Sequence, residues 1–175
     1  WQRGVTRPGR LPRQCATAGV GAAEASDASG DLLPGKEYYV RVCARNALGC
    51  AAPQTSLPVA LAPPKQKPAA PADATLLVNS GSSLRVMWSH PESDGGDAVT
   101  RYKVEWDTSS AFDSDAGAPF GVHTYAISDP ANDCVASPCS YVVSSLEMGV
   151  EYYVRVSSYN SFGYSATPAV PSPPK

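Results

Sequence analysis

EYYVRVSSYNSFG, Glu151–Gly163, is the stretch on which the reading of this chain turns. Tyr152, Val154 and Val156 alternate with Tyr153, Arg155 and Ser157. A period of two puts each set on its own face of a β-strand. Asn160 to Gly163 then supplies residues that favour a turn. The pattern occurs twice. EYYVRVCARNALG, Glu37–Gly49, lies 114 residues earlier. At that offset Leu32, Gly35, Glu37, Tyr38, Tyr39, Val40, Arg41, Val42, Asn46 and Gly49 all recur as the same residue type. Self-similarity at a fixed spacing marks repeated supersecondary units, so the chain reads as a piece of a tandem array.

Around the second copy the strand signals are dense. Leu76–Val78 opens the series, and Leu84, Val86 and Trp88 follow in alternation. After the turn-rich loop Pro91–Asp97, Tyr102, Val104 and Trp106 form the cleanest half-buried strand. His123–Ile127, Tyr141 with Val143, the Tyr152–Val156 strand and Tyr164–Ala169 complete the set. Seven short strands without helical periodicity predict an all-β, immunoglobulin-like seven-stranded β-sandwich over residues 72–170. The first copy supplies only two strands over residues 32–60, and a lone hairpin is marginal in water. Residues 31–62 are therefore expected to be the last two strands of an incomplete copy, with Tyr38 as its corner residue and Val40 and Val42 as core. Residues 1–30 show neither periodicity and are expected to be irregular or disordered. Pro63, Pro64, Pro68 and Pro71 predict a semi-rigid linker over 63–71, and PSPPK at 171–175 reads as the start of the next one.

Several of these residues together resemble the fibronectin type III domain. They are Trp88 on the second strand, Tyr102 on the third, Leu146 with Gly149 and Tyr152, the Tyr152–Val154–Val156 alternation, and Asn160 with Gly163. The resemblance implies a core of Trp88, Tyr102, Leu146, Tyr152, Val154 and Val156. It also implies a tyrosine corner in which the Tyr152 phenol bonds to nearby backbone. The chain departs from the family in a long insertion between the third strand and Tyr141. In addition, SDASGD (Ser26–Asp31) stands where the second copy has SYVVSS (Ser140–Ser145).

Composition excludes some functions. Charged residues are 17% and the formal net charge is −2, with no basic cluster, so no nucleic-acid partner is expected. No apolar run approaches the ~18 residues of a membrane span, and the basic start lacks the apolar stretch of a signal peptide. Cys43 and Cys50 flank the first turn, and their counterparts Ser157 and Tyr164 lack both thiols together. Cys134 and Cys139 lie in CVASPC. Two local disulfides, each contributing about 2–3 kcal/mol, imply an oxidising compartment. The other reading is four structural thiols; a zinc site fits the spacings poorly. Cys15 is left over.

No catalytic motif accompanies His90 or His123, so no enzyme and no cofactor are expected. Asp107, Asp113 and Asp115 lack the loop pattern of a calcium site. Pro119 interrupts Gly117 to Gly121, which is no phosphate cradle. Tyr153, Arg155 and Tyr159 share the outward side of the organising strand. They read either as a binding surface or as cross-strand pairs that stabilise the sheet. Asp94–Asp97 and Ser161–Tyr164 are the candidate recognition loops. The expected function is a non-catalytic structural and protein-interaction module, a fragment of a repeat array in a larger extracellular or cell-surface protein. Its partners would be another protein or neighbouring repeats. The alternative is an accessory spacer region of a larger extracellular enzyme.

Overall fold

The computed structural model describes residues 32–128, 134, 137–171 and 173. The expectations for residues 1–30 and for Cys15 fall outside these. The chain divides into two compact units, Trp1–Pro63 and Pro64–Lys175.

In the first unit β1 (Tyr38–Val42) pairs antiparallel with β4 (Gln54–Leu61), and β2 (Arg45–Asn46) with β3 (Gly49–Cys50). The β1–β4 ladder is interrupted between Tyr39 and Arg41, where the register shifts. Tyr38 is buried and its phenol accepts a hydrogen bond from Leu33 N at 2.7 Å. Val40 and Val42 do not form a core. They are 51% and 68% exposed, because among the described residues of this unit no second sheet lies over them. Burial on one face of a strand needs an opposing layer, which a hairpin alone cannot supply.

The expected Cys43–Cys50 bridge is also corrected. Cys50 is disulfide-bonded, but Cys43 is not its partner. The register pairs Cys50 with Arg45, and Ala51 N bonds to Ala44 O at 2.8 Å. Cys43 is thus diagonal to Cys50, and diagonal cross-strand neighbours lie about 7–8 Å apart. A disulfide requires a Cα separation of about 4.4–6.8 Å.

The second unit is the sandwich. β5 (Ala72–Ser80), β6 (Ser83–Ser89) and β9 (Cys139–Val143) form one antiparallel sheet in the order β5-β6-β9. β7 (Arg101–Asp107), β8 (Gly121–Ala126), β10 (Tyr153–Asn160) and β11 (Gly163–Tyr164) form the other in the order β11-β10-β7-β8. Leu76, Leu84, Val86, Trp88 and Val143 from the first sheet form one core with Tyr102, Val104, Tyr125, Val154 and Val156 from the second. Trp88 is fully buried, with Tyr102 and Tyr125 presented edge-on at centroid distances of 5.5 and 5.7 Å. Leu146 and Tyr152 are buried at the crossover, and Glu147 N donates to the Tyr152 phenol at 3.2 Å. The crossover turns at Gly149 with φ of 80°, where an L side chain would be strained. Cys134 and Cys139, both fully buried, are joined with a Cα separation of 4.4 Å.

The last strand is shorter than Tyr164–Ala169. After β11 only a bridge between Val156 and Ala169 continues the ladder, with bonds of 2.9 and 2.8 Å. Pro168 has no N–H to donate and interrupts the pairing.

Nor is the proline-rich stretch a free spacer beyond Pro63. Gln66 N bonds to Gly95 O and Ala69 N to Ser93 O, each at 2.9 Å, and Pro68 and Pro71 are buried. Asn160, fully buried, donates from Nδ2 to Gln66 O and Asp94 O at 2.8 Å each. Ser158 Oγ donates to Ala69 O. A proline-rich segment offers carbonyls without requiring as many acceptors in return, which suits it to this seat.

Candidate functional site

The outward face of the four-stranded sheet carries the residues singled out for binding. Antiparallel register sets Tyr153 opposite Asp107, Arg155 opposite Glu105, Ser157 opposite Lys103 and Tyr159 opposite Arg101. Arg155 donates from Nε to Glu105 Oε2 at 2.8 Å and from Nη2 to Oε1 at 3.2 Å. Lys103 Nζ lies 3.1 Å from the same carboxylate. The Arg155 guanidinium also sits 4.1 Å from the centroid of Phe112, Arg101 lies 4.3 Å over Tyr159, and Lys103 Nζ lies 4.8 Å over Tyr164. Tyr159 and Tyr164 meet edge-on at 4.8 Å. Cations and rings thus alternate across the face. Such contacts each contribute about 0.5–1 kcal/mol at exposed sites.

Glu105 is 5% exposed although it carries charge. Burial pushes its carboxyl up, but the bonds from Arg155 and Lys103 outweigh this and hold it below the usual range. A buried carboxylate is tolerable only when paired in this way. The structure therefore brings Tyr153, Arg155 and Tyr159 together but commits the Arg155 guanidinium to intramolecular partners.

The loop after β7 folds over this face through a second buried acid. Asp107 Oδ1 accepts from Ser109 N at 2.9 Å and from Ser114 Oγ, and Oδ2 accepts from Ser114 N at 3.1 Å. Burial raises the Asp107 carboxyl, but the bonds from Ser114, Ser109 and Phe120 prevail and lower it to about 2. Its oxygens face N–H and O–H donors, which is the wrong arrangement for coordinating calcium with Asp113 and Asp115.

Because the folded carboxyl is more acidic than the unfolded one, near ~3.9, Asp107 stabilises the fold above about pH 4. That contribution is lost as the pH falls through about 2. Asp107→Asn is expected to cost about 2 kcal/mol at neutral pH, since its amide group would face backbone donors. It is also expected to flatten the acid limb of stability between about pH 4 and 2. Urea denaturation across pH measures both; an unaltered acid limb would remove Asp107 as its source.

The recognition loops are held internally. Asp97 Oδ2 accepts from Ser161 N at 2.9 Å and Oδ1 lies 3.6 Å from Lys65 Nζ. The Ser161 bonds are the main reason the Asp97 carboxyl is lowered. His90 Nδ1 lies 2.7 Å from the Tyr102 phenol, which burial pushes up to about 12. That phenol is too weak an acid to act as a nucleophile near neutrality. His123 stacks flat on Tyr141 with centroids 4.3 Å apart.

Two features had no sequence signal. Phe112 sits in a polar loop, yet it is buried beneath Arg155. Gly121 faces Trp106 so closely that any Cβ there would overlap the indole.

The sequence model of the fibronectin type III domain matches residues 69–175. The chain belongs to the fibronectin type III family. Human ankyrin repeat and fibronectin type-III domain-containing protein 1 is 34% identical over 110 residues, covering 61% of this chain. Chicken protein sidekick-1 is 35% identical over 146 residues, covering 81% of it. The chain spans only 9% and 6% of the lengths of these relatives. Among solved structures, domains d3–d4 of the rat CD45 extracellular region align over 100% of this chain and 77% of theirs, with a TM-score of 0.51 and 17% identity. That likeness concerns the fold alone. In this fibronectin type III domain the tyrosine corner, the Trp88 core and the Asn160 turn all lie within the matched region. No helix among the described residues is long and apolar enough to cross a membrane.

Proposed function

We propose that the chain is a non-catalytic structural and protein-interaction module, one piece of a fibronectin type III array in a larger extracellular or cell-surface protein. One observation carries this reading. The best-formed polar face is a flat ladder of side chains bonded to one another, with no titratable group aimed into a cleft. Flat faces with Tyr and Arg suit macromolecular contacts, whereas small-molecule chemistry uses concave sites. Tyr153 and Tyr159 stand half-buried beside Arg101 on that face and supply the contact area. The buried Cys134–Cys139 bridge supports an oxidising compartment.

The compartment is tested by non-reducing peptide mass spectrometry on protein from its natural source. Linked Cys134 and Cys139 are expected, and thiols at both positions would remove the extracellular assignment. The interaction face is tested by amine cross-linking of the parent protein in place. Cross-links from Lys103 to another polypeptide or repeat are expected, and Tyr153→Ser with Tyr159→Ser should abolish them. Their absence in the unaltered protein would return the ladder to a purely stabilising role.

A further inference from the structure

We infer that the β1–β4 hairpin is a docking half, and that its partner is a three-stranded antiparallel sheet of the β5-β6-β9 kind. This sheet would be supplied by the same polypeptide from the N-terminal side of the hairpin. The inference rests on the reading of the chain as a piece of an array. Two copies of one sequence stand here in two environments. Tyr152, Val154 and Val156 are 3%, 1% and 0% exposed, and share one cluster with Leu76, Val86, Trp88 and Val143 of the opposing sheet. Their counterparts Val40 and Val42 are more than half exposed, as are Val59 and Leu61 on the strand paired with β1. A small soluble unit rarely leaves such a patch open unless something binds it.

The second copy shows what fits. It is a sheet whose central strand carries an inward tryptophan, led by a proline-rich segment. The polar groups agree. Asn160 Oδ1 caps its own turn through Phe162 N at 2.9 Å, and Asn46 Oδ1 does the same through Leu48 N at 2.8 Å. Asn160 Nδ2 goes further and holds the carbonyls of Gln66 and Asp94, whereas Asn46 is exposed. The hairpin thus retains the residues that a complementary half would engage: two valines, a corner tyrosine already closed on Leu33 N, and an amide. Sidekick-1 aligns over four-fifths of this chain, a share that necessarily includes β1 and β4, so the likeness to an array protein reaches this hairpin as well. The second copy receives its sheet from residues that precede it, and this order favours a cis partner over a separate protein.

The test grafts the hairpin onto the sheet that is available. In the full chain, residues 146–175 are replaced by a second copy of 32–63, carrying Cys43→Ser and Cys50→Ser. Thermal melting is followed by near-ultraviolet circular dichroism. A cooperative transition within about 10 °C of the unaltered chain is expected. Val42→Asp in the grafted copy should abolish it, and the same change in the original copy should not move it. In the unaltered chain, Val40→Asp with Val42→Asp should shift no transition. A graft without a cooperative transition overturns the inference. So does a loss of stability from those aspartates in the unaltered chain, because it would mean the face is already covered. Neither readout involves Lys103 or the outer ladder, so the inference and the interaction face can fail separately.

Discussion

Trp88→Ala is expected to destabilise the sandwich by about 4 kcal/mol, within the range for deleting a buried aromatic side chain. Trp88 is fully buried between the sheets, and two edge-on tyrosine contacts would be lost with it. For a unit of this size the melting temperature should fall by about 20 °C. Total stabilities are about 5–15 kcal/mol, so the variant would lie near the limit of folding. Trp88→Phe should cost much less. The indole N–H is buried and finds no acceptor among the described residues, so its removal relieves a cost that offsets part of the lost volume. Chemical denaturation of both variants checks the comparison. Equal losses would show that the N–H carries no penalty.

Asn160→Ala should be the second most damaging change, at about 3 kcal/mol. Truncation removes the donors to Gln66 O and Asp94 O and strips Phe162 N of its acceptor. Each buried polar group left without a partner costs about 1–3 kcal/mol. The effect should be focused, with amide exchange rising at residues 66–69 and 93–97 before the core strands open. Asn46→Ala, at the equivalent place in the first copy, should change stability by less than about 0.5 kcal/mol because Asn46 is exposed. Matching losses at the two positions would mean that the first turn is buttressed in the same way as the second.

Much of the sandwich was legible because its strands obey a period of two with one buried face. Leu84–Val86–Trp88, Tyr102–Val104 and Val154–Val156 all occupy the faces that the alternation predicts. The corner at Leu146 and Tyr152 followed from the family resemblance. The outer ladder was legible only in part. Tyr153, Arg155 and Tyr159 share a strand and hence a face, but Glu105, Lys103 and Phe112 reach Arg155 only through cross-strand register and a folded loop. The segment after Pro63 was misread because proline content signals extended backbone, and extension alone does not say whether neighbours bind its carbonyls. The cysteines of the first copy were misread for a related reason. Their joint absence from the second copy suggested a pair, yet pairing depends on strand register.

Glu37–Gly49 and Glu151–Gly163 separate the two kinds of information most clearly. Sequence alone determined that both are alternating strands ending in an asparagine-glycine turn, with a tyrosine whose phenol closes on the backbone behind it. Those are properties of local spacing, and both copies have them. Only the tertiary structure decided that Val154 and Val156 are core while Val40 and Val42 face outward. Hydrophobic burial belongs to the contact between two layers, and a strand can specify which face it offers but not whether a second sheet is there to cover it.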